Sequence, residues 1–170
     1  MIRVLLQTLK AQHDALIQEC KVIEAQLQTW HKDNETSQRL ETIPGVGLLT
    51  ATALAAHLDQ GQGFTNGRQL AAYLGLVPRQ ASSGGKNRLL SISKRGDGYL
   101  RTLLVHGARS LLRHVRKRLQ AGQAGRNPWL EQLLQRCHPN EAAVALANKM
   151  ARIAWVLVSR KETWRAPVLA

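Results

Sequence analysis

Two adjacent serines followed by two glycines, Ser82-Ser83-Gly84-Gly85, sit in the most basic stretch of this 170-residue chain. Arg79, Lys86, Arg88, Lys94, Arg95 and Arg101 surround them in sequence, with Ser91 and Ser93 interleaved. Paired glycines leave the backbone free to approach a ligand closely. Guanidinium and ammonium groups hold phosphate oxygens and stabilise charge that develops on them. A serine hydroxyl held there could attack phosphorus and form a covalent link that conserves the energy of the broken bond. No His or carboxylate lies beside the serines to take the proton, and a neutral hydroxyl needs such a base. Residue types alone therefore point to a nucleic-acid-binding loop first and a nucleophile second.

A second constellation lies upstream. Ile43-Pro44-Gly45-Val46-Gly47, followed by Ala51, Ala53 and Leu54, has the form of a helix-hairpin-helix. Its glycines permit a tight turn and would bare the N–H groups at the start of the next helix, where the helix dipole favours a phosphate oxygen. Gly45, Val46 and Gly47 are the expected contact residues. Such contacts position a duplex without reading its bases.

The charge distribution supports a polyanionic partner. The formal net charge is +13, and residues 79–126 hold twelve Lys and Arg side chains against Asp97 alone. Residues 1–42 are nearly balanced, with five basic groups and six acidic ones. So local an excess favours nucleic acid, and DNA or RNA comes before a membrane surface. Arg109, Arg113, Arg116, Lys117 and Arg118 extend the basic stretch along a helix and are read as backbone-binding. Cys20 and Cys137 share no metal-ligand spacing and read as free thiols. His57, His106 and His114 are too far apart in sequence for a local zinc motif. The apolar run from Ala142 to Val158 is interrupted by Lys149 and Arg152, and the first residues turn polar too soon for a signal peptide. The expected location is cytoplasmic and nucleoid-associated, without a membrane.

The elements that must position these residues read as all-α. Leu and Ala dominate, and aromatics are 4% of the chain, a palette of helices rather than sheets. Residues 2–38 read as one long helix. Leu6, His13, Cys20 and Leu27 recur every seven residues, and Leu9, Leu16, Ile23 and Trp30 do so three places later, the a and d positions of a coiled-coil seam. A turn and short helix follow over 40–58, then a helix capped by Thr65 or Asn66. Residues 76–97 read as a loop with room for a short hairpin. An amphipathic helix starts at Gly98 and ends at Gly122. Asn127-Pro128 caps another, and Pro139-Asn140-Glu141 opens the last. Trp129, Trp155 and Trp164 read as core or interface residues. The expected organisation is a coiled-coil arm over 1–39 and a compact helical domain over 40–165.

Leu40 to Arg109 resembles a known family. Ile43-Pro-Gly-Val-Gly, Leu74-Gly-Leu-Val-Pro-Arg, Ser82-Ser-Gly-Gly-Lys, Ile92-Ser-Lys-Arg-Gly and Tyr99-Leu-Arg are similar to the serine-bearing C-terminal domain of the DEDD insertion-sequence transposases. This is the one-ten/one-sixteen insertion-sequence family, which includes the Piv-type DNA invertases. Ala142-Ala-Val-Ala-Leu-Ala-Asn-Lys-Met-Ala-Arg-Ile-Ala-Trp155 fits the same domain's last helix, so the likeness covers about residues 40–160. It implies a coiled coil joining this domain to a RuvC-like nuclease half that holds Mg²⁺ through four acidic residues. It further implies strand cleavage and rejoining by a serine, with a structured bridge RNA as guide. The serine motif falls on Ser82-Ser83-Gly84, which places the nucleophile at Ser83 with Ser82 as the alternative. Arg79, Lys86, Arg88, Lys94 and Arg101 become phosphate-binding groups around it.

The RuvC-like half is absent from these residues. The 11 acidic side chains include no strand-borne set able to hold Mg²⁺, so no metal or other cofactor is expected here. Two readings follow: the serine-bearing half of a recombinase that needs its nuclease half, or a non-catalytic DNA- or RNA-binding remnant that pairs with a full-length transposase through the coiled coil. Either way, homo-oligomers or mixed oligomers are expected. Both readings predict phosphate-dominated binding, so affinity for duplex DNA falls with a log–log salt slope of about −0.9 per phosphate neutralised. A salt titration with unchanged affinity would contradict them.

Overall fold

The computed structural model describes residues 1–58, 63–82, 86, 88–123 and 127–165. Among them, seven helices and one two-stranded ribbon follow in the order α1 (Ile2–Asp33), α2 (Glu35–Glu41), α3 (Leu48–His57), α4 (Gly67–Tyr73), β1 (Pro78–Gln80), β2 (Leu89–Ile92), α5 (Gly98–Gln120), α6 (Pro128–Arg136) and α7 (Pro139–Arg160). The all-α expectation holds, and the short hairpin allowed for over 76–97 is present.

The long helix expected over 2–38 is instead two. Asn34 leaves the helical region at φ −114°, ψ 100°, and its side chain accepts from Ser37 N at 2.8 Å, capping α2. An Asn is well suited to this, since its short amide competes with the backbone inside a helix and stabilises a helix start. Gln38 Nε2 donates to the carbonyls of His31 and Lys32, covering the end of α1. His31 ties the corner: Nδ1 lies 2.7 Å from Ser37 Oγ and Nε2 2.9 Å from Glu41 Oε2. A helix of 32 residues is about 48 Å long, and α1 buries none of its residues. Its seam lies open: Leu6, Leu9, Leu16 and Ile23 are all exposed by more than half.

The core gathers around α7, which buries Ala142, Ala143, Leu146, Ala147, Met150, Ala151, Ala154, Leu157 and Val158. By length and composition alone α7 could cross a membrane, but its apolar face packs on α4 and α5. On α5, Leu100, Leu104, Ala108 and Leu112 face it. Five helix starts are closed by side chains. Asn34, Asn66, Asp97 and Asn127 each accept from a first-turn N–H, and His138 Nδ1 accepts from Asn140 N.

Small residues set the closest approaches. Gly45 has φ +88°, and a Cβ there would lie 2.9 Å from Gly107 O. A Cβ on Gly107, inside α5, would lie 2.0 Å from Gly45 O. The turn before α3 is thus seated on the backbone of α5. Ala is ordinarily favoured over Gly in a helix by about 1 kcal/mol. Here Gly107→Ala must push the turn away and lowers stability by roughly 1–3 kcal/mol. Urea denaturation shows a lower midpoint, and a raised midpoint would contradict the packing.

Candidate nucleic-acid interface

The ribbon is the element that presents the basic loop. β1 and β2 pair antiparallel, Pro78 opposite Ile92 and Gln80 opposite Leu89, with a bulge between. Ala81 N continues the ladder to Arg88 O at 2.9 Å. All of Pro78–Gln80 is exposed, as are Ser82, Lys86, Arg88, Leu89, Leu90, Ser91, Lys94 and Arg95. A two-stranded ribbon is marginal alone in water, so its base must be anchored.

Backbone contact supplies the anchor. Gly75 (φ +67°) and Gly96 (φ +70°) pass so close to the opposite chain that a Cβ would lie 2.4 Å from Arg95 O and 1.8 Å from Tyr73 O respectively. Ser93 N donates to Val77 O at 2.8 Å and Lys94 N to Gly75 O at 3.1 Å. Lys94 takes the left-handed conformation at φ +55°. From α7, Asn148 Nδ2 donates to Leu76 O at 3.1 Å.

Arg101 works in the same knot. Its Nη1 donates to Leu74 O and to Arg95 O, both at 3.0 Å, and the residue is half-buried. This differs from the phosphate-binding role expected of it. The guanidinium ties the carbonyls on either side of the ribbon's base together, and so positions the ribbon. Arg109 is also partly engaged, with Nη2 3.2 Å from Asn140 Oδ1. Arg79 Nη2 lies 3.4 Å from Ser91 Oγ across the ribbon. Arg113 and Arg116 are exposed on α5, opposite its buried stripe.

Ser82 Oγ accepts from Gln80 Nε2 at 3.0 Å and from Arg88 N at 3.3 Å. Ser83, Gly84 and Gly85 lie outside the described residues. Asp97, the lone acid of the basic stretch, caps α5 by accepting from Leu100 N at 2.9 Å; its carboxylate is committed there.

The Ile43–Gly47 turn departs from expectation in part. Val46 is buried and its N–H donates to Ile43 O at 2.9 Å, so neither its side chain nor its N–H is open to a ligand. Gly45 serves packing on α5. Of the three expected contact residues only Gly47 is exposed, with open space around its Cβ position, and no side chain caps α3. The ion pairs among the described residues all fall within α1 and α2. Arg79, Lys86, Arg88, Lys94 and Arg95 on the ribbon, and Arg113 and Arg116 on α5, are therefore exposed without carboxylate partners among the described residues. Among the described residues, no three His, Cys, Asp or Glu side chains gather where a metal ion would bind.

Sequence reasoning missed Gly75, Gly96, Asn148 and the clamping role of Arg101. The signal was present only as glycines flanking the ribbon and as a polar Asn on an apolar helix.

An exposed basic ribbon is locked onto a helical core, and comparison with known proteins identifies the family. The family described as Transposase IS116/IS110/IS902 matches residues 37–123, from inside α2 to just past α5. The chain belongs to this family. It is 51% identical over 142 residues to the transposase for insertion sequence element IS1111A of Coxiella burnetii, covering 84% of this chain and 38% of that protein. It is 47% identical over 161 residues to a probable family 20 transposase of Pseudomonas aeruginosa, covering 95% and 46%. A pilin gene-inverting protein of Moraxella bovis is 36% identical over 72 residues, 42% of this chain and 22% of that protein. The chain thus spans less than half the length of these relatives.

The geometry separates two arginines. Arg101→Gln breaks charge-assisted bonds to two carbonyls and costs about 2 kcal/mol of stability. Arg88→Gln changes an exposed side chain, costs within about 0.5 kcal/mol, and weakens nucleic-acid binding. Thermal melts and a duplex-binding assay on both variants check this, and equal stability losses would contradict it.

Proposed function

We propose that this chain is the DNA-binding, serine-bearing half of an insertion-sequence recombinase, inactive until a RuvC-like half joins it. The observation that carries the reading is the anchored ribbon: an exposed basic platform, without carboxylate partners among the described residues, whose connection carries the serines. Arg79, Lys86, Arg88, Lys94 and Arg95 grip phosphates of the strand. Gly47 and the uncapped start of α3, in helix-hairpin-helix fashion, hold a neighbouring phosphate. Arg109, Arg113 and Arg116 extend the grip along α5, to DNA or to a structured guide RNA.

Ser83 is the nucleophile in this reading. Ser82 Oγ already accepts two hydrogen bonds, which engage both lone pairs of a hydroxyl, and attack on phosphorus needs one free. Asp97 is occupied as a cap, so the base or metal that activates the serine comes with the other half. Mg²⁺, held by acidic residues of that half, would supply charge stabilisation at the phosphate.

The open apolar seam of α1 favours a second role. A helix that buries nothing of its own pairs with a like helix, either of another copy or of a full-length transposase. A regulator that binds DNA without cutting it would use the same surfaces.

The experiment is reconstitution with a RuvC-like half and labelled DNA, read on a denaturing gel. A covalent adduct forms with wild type and with Ser82→Ala, and Ser83→Ala abolishes it while leaving binding within about twofold, as for a neutral surface change. An adduct lost only in Ser82→Ala moves the nucleophile by one residue. An adduct that survives the double variant removes the loop from the chemistry and leaves the binding role.

A further inference from the structure

Away from the ribbon, the outer face of α7, the start of α4 and the segment after α7 enclose a cleft of about 1070 Å³. Arg68, Lys149, Arg152 and Arg165 line it, against one carboxylate, Glu162. None of these four cations is ion-paired among the described residues. Three of the chain's four tryptophans, Trp129, Trp155 and Trp164, also line it.

The two kinds of side chain are arranged to act together. Lys149 Nζ stands 3.7 Å over the Trp129 ring centroid, so that ring holds the ammonium in place. Burial, and then the charge of Arg152, push the Lys149 ammonium below its ordinary pKa. An arriving anion would offset the repulsion between Lys149 and Arg152. Trp155 is fixed by donation from Nε1 to Phe64 O at 3.0 Å. The backbone N–H of Trp164 bonds Thr42 Oγ1 at 2.9 Å, which holds the segment after α7 against the end of α2. Trp155 and Trp164 are half-buried, and no ring or cation covers their faces among the described residues.

Fixed indoles beside unpaired cations are the chemistry that recognises single-stranded nucleic acid, in which every base offers a π-face and every linkage a charge. A paired, stacked duplex cannot supply a base to such a cleft. We propose that this cleft is a second nucleic-acid site that takes an unpaired nucleotide, its base against Trp164 or Trp155 and its phosphate on Arg152 and Lys149. The proposal rests on the nucleic-acid-binding reading above, and it assigns to α7 and Trp164 a task distinct from the ribbon's. DNA and RNA strands share the chemistry, and the test separates them.

The full chain is titrated with labelled 12-mer single strands of DNA and RNA, with the same DNA backbone lacking bases, and with a duplex. Base-bearing strands bind wild type about tenfold more tightly than the abasic strand, within the range that stacking one base provides. Trp164→Ala together with Trp155→Leu, which leaves no aromatic face at either position, lowers that ratio toward one, Trp164→Phe keeps it, and Arg152→Gln weakens both strands. A preference for RNA over DNA of the same sequence adds a 2′-hydroxyl contact, and equal binding leaves both strands as ligands. Abasic and base-bearing strands binding wild type equally overturns the proposal, whatever the variants' stability. The ratio surviving intact in a folded Trp164→Ala, Trp155→Leu protein overturns it too. Neutralising Arg79, Lys86 and Arg88 to Gln removes duplex binding and keeps the ratio. A ratio present with no duplex binding by wild type would sink the ribbon reading alone, and duplex binding with a ratio of one would sink the cleft alone.

Discussion

Two chain crossings with no room for a side chain hold the ribbon in place. At Gly96 a methyl group would fall 1.8 Å from Tyr73 O, and at Gly75 one would fall 2.4 Å from Arg95 O. Real Cβ atoms do not come so near a carbonyl, and the positive φ at both positions excludes most side chains besides. Around these crossings backbone carbonyls find donors. Ser93 and Lys94 donate to Val77 and Gly75, Arg101 reaches Leu74 O and Arg95 O, and Asn148 reaches Leu76 O. α5 and α7 each supply one of these side chains, so the helical core grips the base of the ribbon from two sides. Everything the ribbon presents outward depends on that grip, because two short strands do not hold together unaided.

The division of charge follows the same architecture. Acidic side chains serve local structure: Glu41 joins α2 to α1 through His31, Glu35 pairs with Arg39 within α2, and Asp97 caps α5. Cations on the ribbon and on the outer face of α5 have no such partners among the described residues. Leaving like charges uncompensated costs stability, and a large core built on α7 offsets it.

Much of this was legible in the residues. Asn66, Asn127-Pro128 and Pro139 marked helix starts because capping depends on local chemistry alone. The apolar stripe of α5 and the possibility of a hairpin over 76–97 were likewise local. The break at Asn34 was not, because no Gly or Pro interrupts the chain before Pro44. Only the His31, Ser37 and Glu41 contacts, made after the chain has turned, show why the helix stops. Arg101 misled for a related reason. A cation in a basic stretch looks like its neighbours until the carbonyls of Leu74 and Arg95, up to 27 residues away, are placed beside it. Val46 carried the same ambiguity: a glycine-flanked valine reads as part of a turn surface, and the fold buries it. The open cleft of Trp155 and Trp164 arises from four separated segments, and no spacing rule joins them.

Hydrogen exchange, with and without a DNA duplex, tests most directly whether an anchored ribbon is the phosphate-binding platform. In the free protein the Ser93 and Lys94 amides exchange slowly, with those of α5, and adding duplex slows Arg79, Gln80 and Arg88 while α1 is unchanged. Ser93 and Lys94 exchanging at the rate of unstructured chain, or a duplex that protects only residues outside 78–95, would contradict it.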